Sequence, residues 1–291
     1  TTLGVSGANE AKRVQKEYMQ NHRLNIPTLL MADIIHGFRT IFPIPLALGS
    51  TWDEAAVEKM AEISAKEAAV SGLHVTFSPM VDLVRDPRWG RVMESTGEDP
   101  LLNSRLAAAM VRGYQGENLK EDNWRVAACV KHFAAYGGAL AGRDYNTVDM
   151  SERQLREMYL PGYKAGLDAG AKLVMTSFNT VDGIPATGNQ WLFRDVLRNE
   201  FGFEGVVISD WGAIKELIPH GVAKDEKQAA ELAIKAGVDI EMMTTCYPDY
   251  LKELLEEGRI AETLIDEAVM RILKLKNELG LFENPYRGAD E

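Results

Sequence analysis

Residues 205–212, Gly205-Val206-Val207-Ile208-Ser209-Asp210-Trp211-Gly212, form a short apolar run bounded by glycines that ends in a carboxylate. A run of this length reads as a strand buried on both faces, as strands of parallel sheets are. A charge at its last position stands where the core opens into a loop, so Asp210 is placed for chemistry.

Working outward, the pattern repeats. Strand-like runs occupy 26–33, 75–82, 126–133, 172–179, 205–210 and 238–242. Amphipathic segments lie between them, with Asp53 the expected N-cap of 54–71, Asp99-Pro100 opening 100–114, and Ser151 with Gln154 a capping box for the segment to 169. Gly72, Gly170, Gly237 and Gly280 are placed to close helices in the left-handed conformation. The apolar stripe from Leu264 through Met270 and Leu275 to Leu279 has helical spacing and reads as core packing. Such alternation predicts an α/β fold of right-handed βαβ units, either closed as a barrel or open and doubly wound.

The polar residues decide between these. An open sheet gathers its functional groups at one switch point, whereas a barrel draws them from many strand ends. Here Asp33, with His36 and Arg39 behind it, ends the first run, and Asp82 ends the second. Lys131-His132 lies near the end of the third, Asn179 with Met175 and Phe178 ends the fourth, and Asp210 ends the fifth. That distribution predicts a (β/α)8-type TIM barrel. Six strands are readable and the helix-like segment 9–21 has none before it, so the barrel is expected to be incomplete or collapsed, with its first strand missing.

Composition narrows the function. The chain has 291 residues, 46% hydrophobic and 26% charged, enough for one large domain. A net charge of −11 opposes nucleic acid as a partner. No apolar stretch approaches the roughly 20 residues that span a bilayer, so no membrane partner is expected, and the start of the chain lacks the regions of a signal peptide. It begins at Thr1 rather than Met, compatible with removal of an upstream segment. Cys129 and Cys246 read as two buried thiols. Gly137-Gly138 lacks the spacing of a phosphate loop, so no nucleotide cofactor is indicated, and no metal-ligand spacing is present. What remains is a pocket of carboxylates, arginines, a lysine, histidines and tryptophans, which is the chemistry of sugar recognition.

Six segments carry a more specific resemblance: Asp33-Ile34-Ile35-His36-Gly37-Phe38-Arg39, Asp86-Pro87-Arg88-Trp89-Gly90-Arg91, Glu98-Asp99-Pro100, Lys131-His132-Phe133, Met175-Thr176-Ser177-Phe178-Asn179 and Ser209-Asp210-Trp211-Gly212-Ala213. In this order, from about Leu24 to Tyr286, they resemble the motif series of glycoside hydrolase family 3, β-glucosidase branch. The resemblance implies that Asp210 is the nucleophile of a retaining, exo-acting β-glycosidase that releases glucose from non-reducing ends through a glycosyl-aspartate intermediate. It implies that Asp33, with Arg39 close behind, accepts hydrogen bonds from hydroxyls remote from the anomeric carbon, and that Arg91, Lys131 and His132 hold the same ring. Met175 would line the subsite and Trp211 its wall. Phe178 stands where many relatives have tyrosine, and Arg143, in Gly142-Arg143-Asp144-Tyr145-Asn146, is a further binding candidate. By itself each residue also has a bland reading. A strand-end Asp before Trp is commonly a loop anchor, and Arg88, Trp89, Glu94, Glu98 and Asp99 are read as bracing and packing.

In this branch the general acid/base is a glutamate on a following α/β sandwich domain. The expected organisation is therefore a barrel over 1–280 and, over 281–291, the start of a linker to that sandwich domain. The expected substrates are β-linked glucosides or short oligosaccharides, with no cofactor, and the resemblance implies a periplasmic or secreted location. Two alternatives stay open, a β-xylosidase and a non-catalytic carbohydrate-binding or scaffold barrel. An aldolase using Lys131 as a Schiff base, or a metal hydrolase built on Asp33, His36, His132 and Asp210, fits the residues less well.

Overall fold

The computed structural model describes residues 1–5, 7–145 and 147–290. Strands β1 (Thr2–Leu3), β2 (Leu30–Ala32), β3 (Val75–Thr76), β4 (Ala127–Phe133) and β5 (Leu173–Thr176) precede a small antiparallel hairpin, β6 (Thr180–Val181) with β7 (Ile184–Pro185), and then β8 (Val206–Ile208). Among the described residues one sheet runs β1-β2-β3-β4-β5-β8 with every neighbouring pair parallel. An isolated parallel bridge from Ile208 to Ile240 extends it. This is an incomplete barrel of (β/α)8 type.

The period-2 alternation of the strands creates two separate apolar cores. Met31, Val75, Cys129, Leu173, Met175, Val206, Ile208 and Ile240 meet inside the curl. Their chain neighbours Leu30, Ala128, Val130, Val174 and Val207 point outward into the helical layer. Both faces are therefore covered, which is why the strands read as continuous apolar runs rather than alternating ones. Leu275, Leu279 and Leu281, from the end of the last helix, join the inner core among Leu29, Leu119 and Val206 at the strand starts.

Helix ends follow the capping residues. Asp53 accepts from the backbone of Ala56, Asp99 from Leu102, Ser151 from Gln154 and Asp225 from Gln228. Each such cap contributes about 1 kcal/mol. Gly72, Gly170, Gly237 and Gly280 all take positive φ just past a helix end. Gly237 does so in the left-handed conformation, closing Glu226–Ala236.

Three readings of the sequence change. The strand expected to be missing before the helix Ala8–Asn21 is β1, whose two residues are too few to show alternation. The run 238–242 contributes one bridge instead of a strand, because Asp239 turns its carboxylate onto the backbone N–H of Val207 at 2.8 Å. Met270 is 54% exposed, so the core stripe of the helix Glu262–Glu278 passes through Ala268 and Leu275 instead. The segment after 280 lies against the barrel: Gln15 donates to the carbonyl of Pro285, and Arg287 donates to the carbonyls of Leu279 and Asp122.

Candidate active site

Asp210 stands one residue beyond Ser209 at the carboxyl end of β8 and is 8% exposed. Its backbone is latched on two sides. The N–H reaches Thr176 Oγ1 of β5 at 3.3 Å, and Ser209 Oγ, which donates to the Asp210 carbonyl, accepts from the N–H of Met242. The carboxylate is divided in its bonding: Oδ1 accepts from the backbone N–H of Trp211 at 2.6 Å, while buried Oδ2 has no hydrogen-bond donor among the described residues. His132 Nε2 lies 3.3 Å from Oδ2 without making a hydrogen bond.

The state of His132 explains that contact. Its Nδ1 is 2.7 Å from Asp82 Oδ2, which also accepts from the His132 backbone N–H at 3.0 Å. Tyr163 Oη lies 2.8 Å from Asp82 Oδ1. Burial holds the His132 imidazole down to about 3 and pushes the Asp82 carboxyl up to about 6, so the pair favours a neutral imidazole. A neutral ring whose Nδ1–H donates to Asp82 presents a lone pair, not a proton, to Asp210 Oδ2. Adjacent residues of a strand ordinarily face opposite ways, yet both Lys131 and His132 serve this site. The β4–β5 register shifts between Val130 and Phe133, an irregularity that re-aims side chains. Lys131 Nζ meets Asp33 Oδ1 at 2.7 Å, with the lysine buried and the aspartate exposed.

Arg91 follows the irregular segment after β3. Glu94 grips its guanidinium at 2.6 and 2.8 Å, and the group lies 5.6 Å from the ring centre of Tyr136. Its charge acts on both Asp82 and Asp210. Tyr136 is enclosed by Trp89, His132 and Phe178 at 5.2, 5.4 and 5.7 Å between ring centres. Trp89 is buried and donates its Nε1 proton to Asp144 at 2.9 Å.

The strand ends thus bring Asp33, Arg91, Lys131, His132 and Asp210 into one electrostatic cluster, flanked by Phe178 and by Trp211, which is 59% exposed. Met175 lies beneath it in the inner core, paired in register with Ile208. Two candidates, Arg39 and Arg143, make no hydrogen bond or ion pair with this cluster among the described residues. Gly37, at φ 119, and its bridge to Ile41 turn the chain back, so the N–H groups of Arg39 and Thr40 dock on Glu67 of the helix Glu54–Val70. The Arg39 side chain borders a surface hollow with Asn9, Ser71 and Asp290. Arg143 is exposed, and its neighbour Asp144 makes the inward contact with Trp89.

Tyr163, Tyr136 and Glu94 were not recognisable as parts of the site, and Asp82 was read only as a strand-end charge. Glu94 had one signal, its spacing of three from Arg91. Asp82 had another, its place at a strand end. A hollow of about 990 Å3 bounded by Glu58, Glu62, Arg112 and Trp124 lies on the outer helical layer. Glu58 and Glu62 in it are paired with Arg112 and Lys59, and the convergent cluster of charges is at the strand ends.

Residues 5–275 match the model of the glycosyl hydrolase family 3 N terminal domain. The chain is 47% identical over 277 residues to a periplasmic beta-glucosidase of Salmonella typhimurium, covering 95% of this chain and 36% of that protein. It is 37% identical to a beta-xylosidase of Formosa agariphila, covering 93% and 40%. It superposes on the crystal structure of a beta-glucosidase from Listeria innocua in complex with glucose with a TM-score of 0.98 and 63% identity, covering 99% of this chain and 40% of that one. The chain therefore spans well under half the length of the relatives it matches.

Proposed function

The chain belongs to glycosyl hydrolase family 3, and from that premise we propose that it is the nucleophile-bearing barrel of a retaining, exo-acting β-glucosidase. The observation that carries the proposal is Asp210: one oxygen is fixed by the Trp211 N–H, and the other is buried, undonated and next to a neutral imidazole. Asp210 Oδ2 attacks the anomeric carbon, forming the glycosyl ester as the bond to the aglycone oxygen breaks and its electron pair leaves with that oxygen. Water then attacks the same carbon, the ester bond breaks, and two inversions give net retention.

The remaining groups hold the ring. Lys131 and Asp33 offer a donor and an acceptor side by side for vicinal hydroxyls, and Arg91, held rigid by Glu94, offers two more donors. Trp211 presents an aromatic face to the apolar face of a sugar. Asp33 is committed to Lys131, Asp82 to His132 and Glu94 to Arg91, so none is free to protonate a leaving oxygen. The acid/base is proposed to be a glutamate on a sandwich domain that follows a barrel of 1–280 through a linker beginning at 281. The greater length of the relatives supports this reading.

β-Linked glucosides or short oligosaccharides are the proposed substrates. β-Xylosidase activity is the second reading, favoured by the similarity to the Formosa agariphila protein. An exported, periplasmic setting is supported by the Salmonella relative, and no helix among the described residues is long and apolar enough to cross a membrane. The test is labelling with a dinitrophenyl fluoroglucoside, whose leaving group needs no protonation. Stoichiometric release of dinitrophenolate with the sugar on the Asp210 peptide is expected; binding without labelling, or a label elsewhere, overturns the assignment.

A further inference from the structure

Beyond Asp210 the chain turns at Gly212, φ 69, into the short helical turn Lys215–Leu217. The three side chains of that turn have different surroundings. Lys215 is ion-paired with Glu226 at 2.6 Å on the outside, and Leu217 is buried in the helical layer. Glu216 between them is half-buried and makes no ion pair or side-chain hydrogen bond among the described residues. Burial and the charge of Asp210 both raise its carboxyl above the ordinary range, so the two carboxylates sense each other. A half-buried carboxyl beside another carboxylate, with no donor of its own, is unfavourable in the empty site. A ligand that brings hydroxyl donors relieves that cost.

Tyr145 approaches from a different segment. Its ring is 50% exposed and lies on Phe178, 4.5 Å between centres, with Tyr136 behind at 6.4 Å. Its backbone, at φ 62, follows Asp144, which is tied to Trp89 Nε1. The contacts of its neighbours set the ring near the nucleophile: Tyr136 also faces His132, which reaches Asp210, and the Phe178 carbonyl lies 3.1 Å from His220 Nε2, whose own backbone N–H bonds to the Glu216 carbonyl. The charges of Asp144, Glu216, Asp210 and Arg91 act on the Tyr145 hydroxyl from these positions. An aromatic plate held on one side, a carboxyl awaiting donors and the nucleophile thus converge from the loops after β4 and β8.

We propose that Tyr145 and Glu216 form the aglycone subsite, Tyr145 covering the apolar face of a neutral hydroxylated ring and Glu216 accepting hydrogen bonds from its hydroxyls. This deepens the glycosidase reading and rests on it. Three carboxylates around the subsite, Asp144, Asp210 and Glu216, make a second neutral sugar the fitting occupant and an anionic aglycone a poor one.

The test uses the full-length protein that carries this chain, with β-glucosyl fluoride as donor, because fluoride is too small to engage such a subsite. The partition of the glycosyl-enzyme between water and added glucose reports acceptor binding there. In Tyr145→Ala and in Glu216→Gln the transfer-to-hydrolysis ratio is expected to fall about tenfold, the value of one good contact. Tyr145→Phe, which keeps the plate, is expected to stay within about twofold. Fluoride release without acceptor checks that each variant folds. An unchanged ratio in Tyr145→Ala or Glu216→Gln, or an equal fall in Tyr145→Phe and Tyr145→Ala, overturns the proposal. Absence of fluoride release from the wild-type protein overturns the glycosidase reading and this inference with it.

Discussion

Two aspartates border the last strand of the sheet and meet opposite fates: Asp210 follows its carboxyl end, and Asp239 bonds from a later segment to the backbone of Val207 within it. Asp239 is 6% exposed and fully engaged: Oδ2 accepts from Val207 N–H at 2.8 Å and Arg198 Nη2 at 3.1 Å, and Oδ1 accepts from Arg271 Nη1 at 2.9 Å. Asp210 is 8% exposed, yet its Oδ2 has no donor. Equal burial therefore does not mean equal purpose. A buried carboxylate with both oxygens hydrogen-bonded locks helices to a sheet, whereas one with an oxygen left undonated carries a cost in stability that a reactive role would explain.

The comparison breaks if Asp210 behaves as structure. Asp210→Asn is expected to lower turnover of an activated aryl β-glucoside by at least roughly a thousandfold, with the melting temperature held or raised. Loss of fold with activity would mean that the vacant oxygen is not functional. Asp239→Ala should do the reverse. The half-buried Arg198 loses its counter-charge and Arg271 keeps only Glu267, a loss of about 3 kcal/mol in urea unfolding. A variant of normal stability would place Asp239 outside the structural class.

A smaller effect comes from pH. His74, fully buried beneath the sheet with Nδ1 accepting the Leu30 N–H, and His132 in the site are both held down to about 3 by burial. The unfolded chain binds their protons near 6.5, so this part of the stability is complete above that pH and is lost as the pH falls toward 3. Asp82, raised to about 6, works in the opposite sense from its unfolded value to that pH, but two histidines outweigh one carboxyl. Unfolding free energy should decline from pH 7 to pH 5 and decline less in His74→Gln; equal slopes would remove His74 from the account. Smallest is Arg39→Ala, expected to change kcat/KM by less than about twofold because the chain carries Arg39 over the helix Glu54–Val70. A tenfold loss would return it to the pocket.

Much of this was legible in order along the chain. The apolar runs, their capping residues and the strand-end charges are local signals; they gave the barrel type, and they marked Asp33, Lys131, His132 and Asp210 as strand-end groups that the fold brings near one another. The two-residue β1 escaped because periodicity needs length, and 238–242 misled because an apolar run does not reveal that Asp239 will bond to a neighbouring backbone. The surroundings of Arg39 and Arg143 were not legible for a related reason. Closeness in sequence to a motif says little about which way a loop turns, and Gly37 and Asp144 decided those turns.

The sequence by itself determined the alternation of elements, the family and the strand-end place of the carboxylate at 210, because these depend on residue type and short-range spacing. The tertiary structure alone decided that His132 stands between Asp82 and Asp210, that Glu94 is spent on Arg91, and that the Tyr145 ring lies on Phe178. Such facts concern which lone pairs and protons remain unused after residues far apart in the chain have been packed together, and packing is where that accounting is done.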